Sequence, residues 1–273
     1  MKIRWSDSDP DAKSVPIIFL HAFPLSGEMW RDQIATLSHD HRTITLDWPG
    51  FGESPLSSLA DKVNGSDGLY GYASCLLNLI DQLEISRANL CGLSMGGYIA
   101  LRFFRLAPER VNSLILCDTR ATADTPEVSS GRYETAAAIR RDGLMGVEHF
   151  ATRMVERLLG SSTLSSNPNL VIYIKHLITR NSPEGIAKAL EAMAERRDCS
   201  DLLPVIGGLS QIKVKIIVGE EDKLTPPSEM LQMAESIPNS SLQIIDGAGH
   251  LPNLEQPLIF NQSISEFLSR SMQ

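Results

Sequence analysis

The sequence predicts an α/β protein built on a mostly parallel sheet flanked by helices. Three observations predict it. First, short apolar runs of strand length alternate with longer stretches of helical spacing, up to about residue 120 and again from about residue 206; alternation of this kind is the mark of parallel strands joined by helical crossovers, with both sheet faces covered. Second, the strand rhythm stops between residues 121 and 205, where an Ala-, Leu-, Arg- and Glu-rich stretch reads as helices alone. Third, the residues able to do chemistry fall in Gly/Pro-rich turns just after the apolar runs, at the carboxyl ends of the strands, where open parallel sheets bind their ligands. The predicted division is a core of residues 1–120 and 206–273 with a helical cap of residues 121–205.

Taken in order, residues 1–5 read as one edge strand and Asp7-Ser8-Asp9-Pro10-Asp11 as a turn. Residues 15–20 are a buried strand. It runs into the loop His21-Ala22-Phe23-Pro24, and a helix begins at Met29-Trp30 with Ile34 and Leu37 on one face. Residues 43–47 form the next strand, ending in Trp48-Pro49-Gly50-Phe51-Gly52-Glu53-Ser54; Trp30 and Trp48 read as packing residues. Residues 56–70 are polar and loop-like. Residues 72–83 are an amphipathic helix, with Leu76, Leu77, Ile80 and Leu83 at helical spacing. A strand over 88–91 meets a helix at 98–104, and Pro108 stops that helix before a strand over 111–117. In the helical stretch the spacing picks out 134–141, 146–158, 168–179 and 184–196, the last started by Asn181-Ser182-Pro183-Glu184. Strands resume at 214–218 and 241–245, with helices at 227–236 and 257–272.

The most informative stretch is Gly92-Leu93-Ser94-Met95-Gly96, set between a buried strand and a helix. A strand that turns abruptly into a helix brings backbones close, so the flanking positions need glycine. The turn strains the serine and lifts its hydroxyl above the strand end. A bare G-x-S-x-G recurs by chance; its placement here makes Ser94 a candidate nucleophile. Its partners should then sit after other strand ends, and Asp222 and His250 do. A hydroxyl needs a base at neutral pH: His250 takes its proton and returns it to the leaving group, while Asp222 fixes the imidazole tautomer and stabilises the imidazolium. The backbone N–H groups of Met95 and Phe23 are the candidate oxyanion donors. Asp118 is the rival acid, since it also follows a strand end; it is expected instead to brace the base of the cap together with Arg120.

These blocks resemble the α/β-hydrolase fold family over nearly the whole chain. The resemblance rests on His21-Ala22-Phe23-Pro24, Asp47 to Ser54, Cys91 to Gly97, Gly219-Glu220-Glu221-Asp222-Lys223-Leu224-Thr225-Pro226-Pro227 and Gly247-Ala248-Gly249-His250. Within the family the wording is similar to small carboxylesterases, 3-oxoadipate enol-lactonases and pimeloyl-carrier-protein methyl esterases. The resemblance implies the α/β-hydrolase fold, a cap inserted after the sixth family strand, the Ser94, Asp222, His250 triad, and His21 as a structural brace of the oxyanion loop. Two departures stand out. Ala22 replaces the glycine usual after the first histidine, and only about 14 residues precede Val15, so one N-terminal edge strand of the family is expected to be missing.

Other features limit the function. With 273 residues, 42% of them hydrophobic, the chain can bury a sizeable core. Its formal net charge of −8 argues against a nucleic-acid partner. Four dispersed cysteines form no C-x-x-C pair, and Cys91 and Cys117 are expected as buried free thiols. No apolar run approaches membrane-spanning length and the first residues lack a signal core, so a cytoplasmic protein without a membrane partner is expected. No metal-ligand cluster or dinucleotide fingerprint is present, so neither metal nor other cofactor is expected. Ser94, rather than aspartate, argues against dehalogenation and epoxide opening. Glu220 and Glu221 read as solvated, and His39, His41, His149 and His176 as surface or cap residues. The cap arginines, among them Arg120, Arg132, Arg140, Arg141, Arg153, Arg157 and Arg180, read as scattered surface charges, and Phe150, Met154, Leu158, Leu159, Ile172 and Ile174 as an acyl pocket or cap core. The expected function is hydrolysis of a small carboxylic ester or lactone through an acyl-enzyme, by a monomer or homodimer. The alternatives are thioester hydrolysis, C–C bond hydrolysis or perhydrolysis on the same triad, or a receptor-like hydrolase with little turnover; Leu93 stands where C–C hydrolases of this fold commonly have Asn.

Overall fold

A computed structural model describes residues 3–59 and 67–271. Among them, seven strands form one sheet: β1 (Trp5–Asp7), β2 (Ile17–Leu20), β3 (Thr43–Leu46), β4 (Ala88–Leu93), β5 (Val111–Cys117), β6 (Lys213–Gly219) and β7 (Ser241–Ile245), in the spatial order β1-β3-β2-β4-β5-β6-β7. The helices are α1 (Arg31–Leu37), α2 (Tyr70–Gln82), α3 (Met95–Leu106), α4 (Pro126–Leu158), α5 (Ser161–Ser166), α6 (Pro168–Thr179), α7 (Pro183–Ala194), α8 (Leu202–Gly208), α9 (Pro227–Glu235), α10 (Pro252–Glu255) and α11 (Pro257–Ser271). Every pairing from β3 to β7 is parallel; β1 alone runs antiparallel, on the outer side of β3. All residues of β2 and β4 are buried, which is why β2 reads as an unbroken apolar run and β4 as one interrupted only by Asn89, rather than as alternating ones. Helices pack on the sheet and on one another, α1 against α11, α2 against α3, and α9 against β6 and β7. This is the α/β-hydrolase arrangement. A single edge strand precedes β2 among the described residues.

The edges of several elements differ from the sequence reading. The first strand spans Trp5–Asp7, not residues 1–5, of which residues 1–2 lie outside the described ones. Asp7, read as part of a turn, ends that strand because its carboxylate forms a buried ion pair with Arg42 at 2.7 Å. The predicted loop 56–70 holds a single 3-10 turn at Leu56–Ser58 before residues 60–66, which are outside the described part, and α2 then begins two residues earlier than its spacing indicates. α5, α8 and α10 are too short to show a period. The two helices predicted over 134–141 and 146–158 are one stretch, capped at Thr125 and broken at Gly143 (φ 59°, ψ −134°). All four cysteines are buried, and none is in a disulfide. No helix among the described residues is long and apolar enough to cross a membrane.

The helices between β5 and β6 pack on one another, α4 lying along α7 and α6 through Ile139, Phe150 and Val155 on one side and Ile186, Leu190 and Met193 on the other. They meet the sheet's loops at a few tight points. A side-chain carbon on Gly50 (φ 90°) would lie 2.7 Å from the Gly185 Cα, and one on Gly185 would strike the Gly50 carbonyl, so both positions need glycine. Asn181 donates from Nδ2 to the Pro24 carbonyl (2.7 Å) and accepts the Gly52 N–H at Oδ1 (2.8 Å). Glu221 accepts the Ser162 N–H and the Ser161 hydroxyl, both at 2.9 Å, so it anchors α5 rather than being fully solvated.

Candidate active site

The site is built from four loops at the carboxyl end of the sheet. β4 runs straight into α3, and Ser94 between them has φ 53° and ψ −114°, a left-handed conformation that strains a non-glycine residue. The surroundings hold it there: its N–H donates to the Cys117 carbonyl (2.9 Å), and its carbonyl accepts the Thr119 hydroxyl (2.8 Å). A Cβ on Gly92 would lie 2.5 Å from the Gly96 carbonyl oxygen, and one on Gly96 would strike the Leu20 carbonyl. The chain can therefore turn this sharply only with glycine at both places.

His250 and Asp222 come from the loops after β7 and β6. The His250 Nδ1 lies 2.7 Å from the Asp222 Oδ2, and both side chains are buried. Asp222 Oδ2 also accepts the Thr225 hydroxyl (2.6 Å), and Oδ1 accepts the Leu224 (2.8 Å) and Thr225 (3.2 Å) N–H groups. Burial acts to raise this carboxyl, but the His250 ring beside it and these hydrogen bonds outweigh burial and hold it below the usual carboxylate range. With Nδ1 committed to an ionised carboxylate, Nε2 is the nitrogen left to serve a hydroxyl. The loop carrying the imidazole is fixed in turn: its His250 N–H donates to the Leu158 carbonyl (2.9 Å), and Glu255 accepts the Gly249 (2.9 Å) and Gly160 (2.8 Å) N–H groups.

Asp118 occupies a different electrostatic position. It is fully buried, with φ 44°, and its Oδ1 accepts the Gly219 N–H at 2.9 Å. Its Oδ2 has no hydrogen-bond partner among the described residues. Burial, and next the charge of Asp222, push its carboxyl well above the usual range, so this site favours the neutral acid. Asp118 therefore ties β5 to β6 and does not brace the helical insertion as expected. The physical reason is direction: Arg120 points instead to the loop after β6, where it donates to the Leu224 carbonyl, and pairs with Glu229 of α9 (3.1 Å). Asp118, Asp222 and His250 bring donor atoms within 4.8 Å of one another, close enough to hold a cation, but those of Asp222 and His250 are already joined to each other.

His21 stands beneath the oxyanion loop. Its Nε2 accepts the Trp48 N–H (2.9 Å) and its Nδ1 donates to the Ala22 carbonyl (2.9 Å), joining the loops after β2 and β3. Burial drives its pKa down to about 4, so the ring is a neutral brace. Among the described residues, the N–H groups of Phe23 and Met95 donate to no protein acceptor. Trp30 and Trp48 are fully buried, as packing residues should be.

Ser94, His250 and Phe23 open into one cavity of about 480 Å³. Phe150, Met154, Leu190 and Met193 form its apolar wall; Leu158, Leu159 and Ile174 are buried away from it and Ile172 is 67% exposed, so the acyl-pocket reading holds for only two of its six residues. Arg120, Arg132 and Arg157 also line it, which corrects the reading of the half-buried Arg120 and Arg132 as scattered surface charges, while Arg157 remains exposed. A groove of about 520 Å³ at the β1–β3 edge is slightly larger, but no histidine or cysteine lines it, and its Arg4 and Arg180 are paired with Glu53 and Glu28. Thr225, Thr119 and Asn181 escaped the sequence reading. Only Thr225 left a trace, a hydroxyl three residues after an aspartate in a turn.

A strained serine at a strand–helix elbow, with a buried histidine–aspartate pair opening into the same cavity, defines a hydrolase-type site on a hydrolase fold. The chain belongs to the alpha/beta hydrolase fold family, whose model matches residues 15–257. It is 37% identical to a solved thermophilic esterase from Thermogutta terrifontis, determined with malate bound, covering 99% of this chain and 94% of that one with a TM-score of 0.88. It is 29% identical to a 3-oxoadipate enol-lactonase of Acinetobacter baylyi over 93% of this chain and 88% of the relative. The solved enol-lactonase from Burkholderia xenovorans, 24% identical with a TM-score of 0.83 over 98% of this chain and 96% of that one, shares the fold.

Proposed function

We propose that this protein is a cofactor-free serine hydrolase that cleaves a small carboxylic ester or lactone through an acyl-enzyme. The 2.7 Å pair of His250 and Asp222, opening into the cavity of the strained Ser94, carries this reading. The Ser94 hydroxyl attacks the carbonyl carbon and passes its proton to His250 Nε2. The carbonyl π pair moves to the oxygen, which the Phe23 and Met95 N–H groups receive. Collapse of that intermediate breaks the bond to the leaving oxygen, which takes the proton from His250. Water then repeats the sequence, and the freed acid departs with Ser94 restored. Asp222, held ionised, offsets the imidazolium charge at each stage. The helices of residues 121–205 act as the cap that shapes the pocket and excludes water. The names of its relatives, an esterase and an enol-lactonase, support this class of reaction.

The test is turnover of p-nitrophenyl esters of rising chain length and of simple lactones, with Ser94→Ala beside the native protein. Turnover should fall by at least about 10³-fold in the variant, with the melting temperature retained. Full activity in Ser94→Ala would remove the assignment.

A further inference from the structure

The two oxyanion donors are held by different parts of the molecule. Met95 opens α3, and its N–H is placed by the Ser94 elbow, whose own N–H donates to the Cys117 carbonyl (2.9 Å) and whose carbonyl accepts the Thr119 hydroxyl (2.8 Å). All of these residues belong to the sheet and its loops. Phe23 lies in the loop after β2, where the backbone has few partners. Its N–H is the donor itself, and Pro24 has none. Among the described residues a single protein hydrogen bond reaches the backbone of residues 23 and 24: Asn181 Nδ2 donates to the Pro24 carbonyl at 2.7 Å.

Asn181 belongs to the helical insertion, between α6 and α7, and is only 2% exposed. Both of its amide atoms are engaged. Nδ2 donates also to the Leu177 carbonyl of α6 (3.0 Å), and Oδ1 accepts the Gly52 N–H of the loop after β3 (2.8 Å). A planar amide bonded at both ends has little freedom, so it fixes the Pro24 carbonyl against α6 on one side and the β3 loop on the other. The Phe23 ring adds a second tie to the insertion, packing on Phe150 of α4 with ring centroids 5.9 Å apart. The insertion also reaches this loop at the surface, where Arg180 pairs with Glu28 at 3.1 Å, but that pair is half-exposed and holds little. We infer that Asn181 is a positioning residue of the reaction: it holds the Pro24 carbonyl, and with it the Phe23 N–H, where that N–H meets the developing oxyanion. The insertion then completes the oxyanion hole as well as covering it. This inference rests on the serine-hydrolase reading above and adds a residue to it. The negative oxygen exists only in the transition state and the tetrahedral intermediate, so a displaced Phe23 N–H costs kcat rather than KM.

The experiment compares the native protein with Asn181→Leu, Asn181→Asp and Arg180→Gln. Leucine is close in size and removes every hydrogen bond; aspartate keeps an acceptor for the Gly52 N–H and loses both N–H donors. Two quantities are read on a p-nitrophenyl ester, kcat and KM, with kcat taken per active site titrated by a fluorophosphonate. The third is Ki for an alkyl trifluoromethyl ketone, which adds to the Ser94 hydroxyl and leaves its oxygen as an anion in the hole. Both Asn181 variants should lose about 10- to 100-fold in kcat, the scale of a misplaced reacting group, with KM little changed. The ketone Ki should rise by the factor that kcat/KM falls, while Arg180→Gln leaves all three at native values. A kcat per site that stays native in both Asn181 variants, even with a lowered melting temperature, would make Asn181 a structural anchor and overturn the inference. So would a loss confined to KM, a ketone Ki that does not follow kcat/KM, or failure of both variants to fold. A native protein that neither turns over esters through Ser94 nor binds the ketone would remove the hydrolase reading and this inference with it.

Discussion

The loops at the carboxyl end of the sheet and the helical insertion between β5 and β6 are held by different forces. In the loops, position is fixed by buried polar bonds and by steric exclusion. Ser94 is bonded at both its N–H and its carbonyl, Asp118 closes the gap to Gly219, and Asp222 accepts four hydrogen bonds. The insertion is held by apolar packing of α4 on α7, with half-exposed pairs such as Arg140 with Glu184 (2.8 Å) on its outer surface, and it meets the core at a few points around Gly185, Asn181 and Glu221. A buried polar group left unpaired costs more than an exposed ion pair contributes. The loops therefore tolerate little change, and the insertion can vary its lining without disturbing them. The proposed function puts the chemistry on the first and the choice of substrate on the second.

The sharpest way to break this contrast is within the loops. Asp222→Asn should lower kcat by about 10⁴-fold, because the amide favours the wrong imidazole tautomer and carries no charge to offset the imidazolium. Asp118→Asn should change kcat by no more than a few-fold, because burial and the charge of Asp222 already favour the uncharged form at this site and asparagine keeps an acceptor for the Gly219 N–H. Parallel pH–rate profiles of the two variants check this, and a reversed order would make Asp118 the acid.

The next effect concerns stability in acid. The His21 ring is neutral in the folded protein down to about pH 4, whereas in the unfolded chain it takes up a proton near pH 6.5. Between those values the unfolded state binds the extra proton. Its contribution is therefore complete above about pH 6.5 and is lost as pH falls to about 4, amounting to roughly 3 kcal/mol. Below that the folded ring protonates too and the difference stops growing. Denaturant midpoints measured from pH 7 to 4 should fall more steeply in the native protein than in His21→Gln. The smallest effect belongs to the insertion: Arg140→Gln, on an exposed pair, should cost less than about 1 kcal/mol in a melting experiment and leave ester turnover unchanged.

The sheet and the triad loops were legible because each left a local signature. β2 and β4 are buried throughout and β5 and β6 over most of their length, so they read as largely apolar runs; Ser94 and Asp222 follow two of them, and His250 follows the partly exposed β7. What escaped depends on partners distant in sequence. Asp7 looks like a turn residue until Arg42, 35 positions away, pairs with it. Asn181 marks a helix start in the sequence, but its side chain joins two loops more than a hundred residues away. The cavity cations were misread for the same reason. Whether Arg120 and Arg132 face solvent or the cavity depends on how the segment after β5 and helix α4 lie against the loops of the sheet, and no periodicity records that.

The most direct test is to trap the nucleophile. The protein is treated with a fluorophosphonate, digested, and the modified residue located by peptide mass. One equivalent on Ser94, slowed in Asp222→Asn and absent in Ser94→Ala, is the expected result. An adduct on any other residue, or an unmodified Ser94 in a protein that still turns over esters, would contradict the assignment of Ser94 as the residue that the Asp222–His250 pair activates.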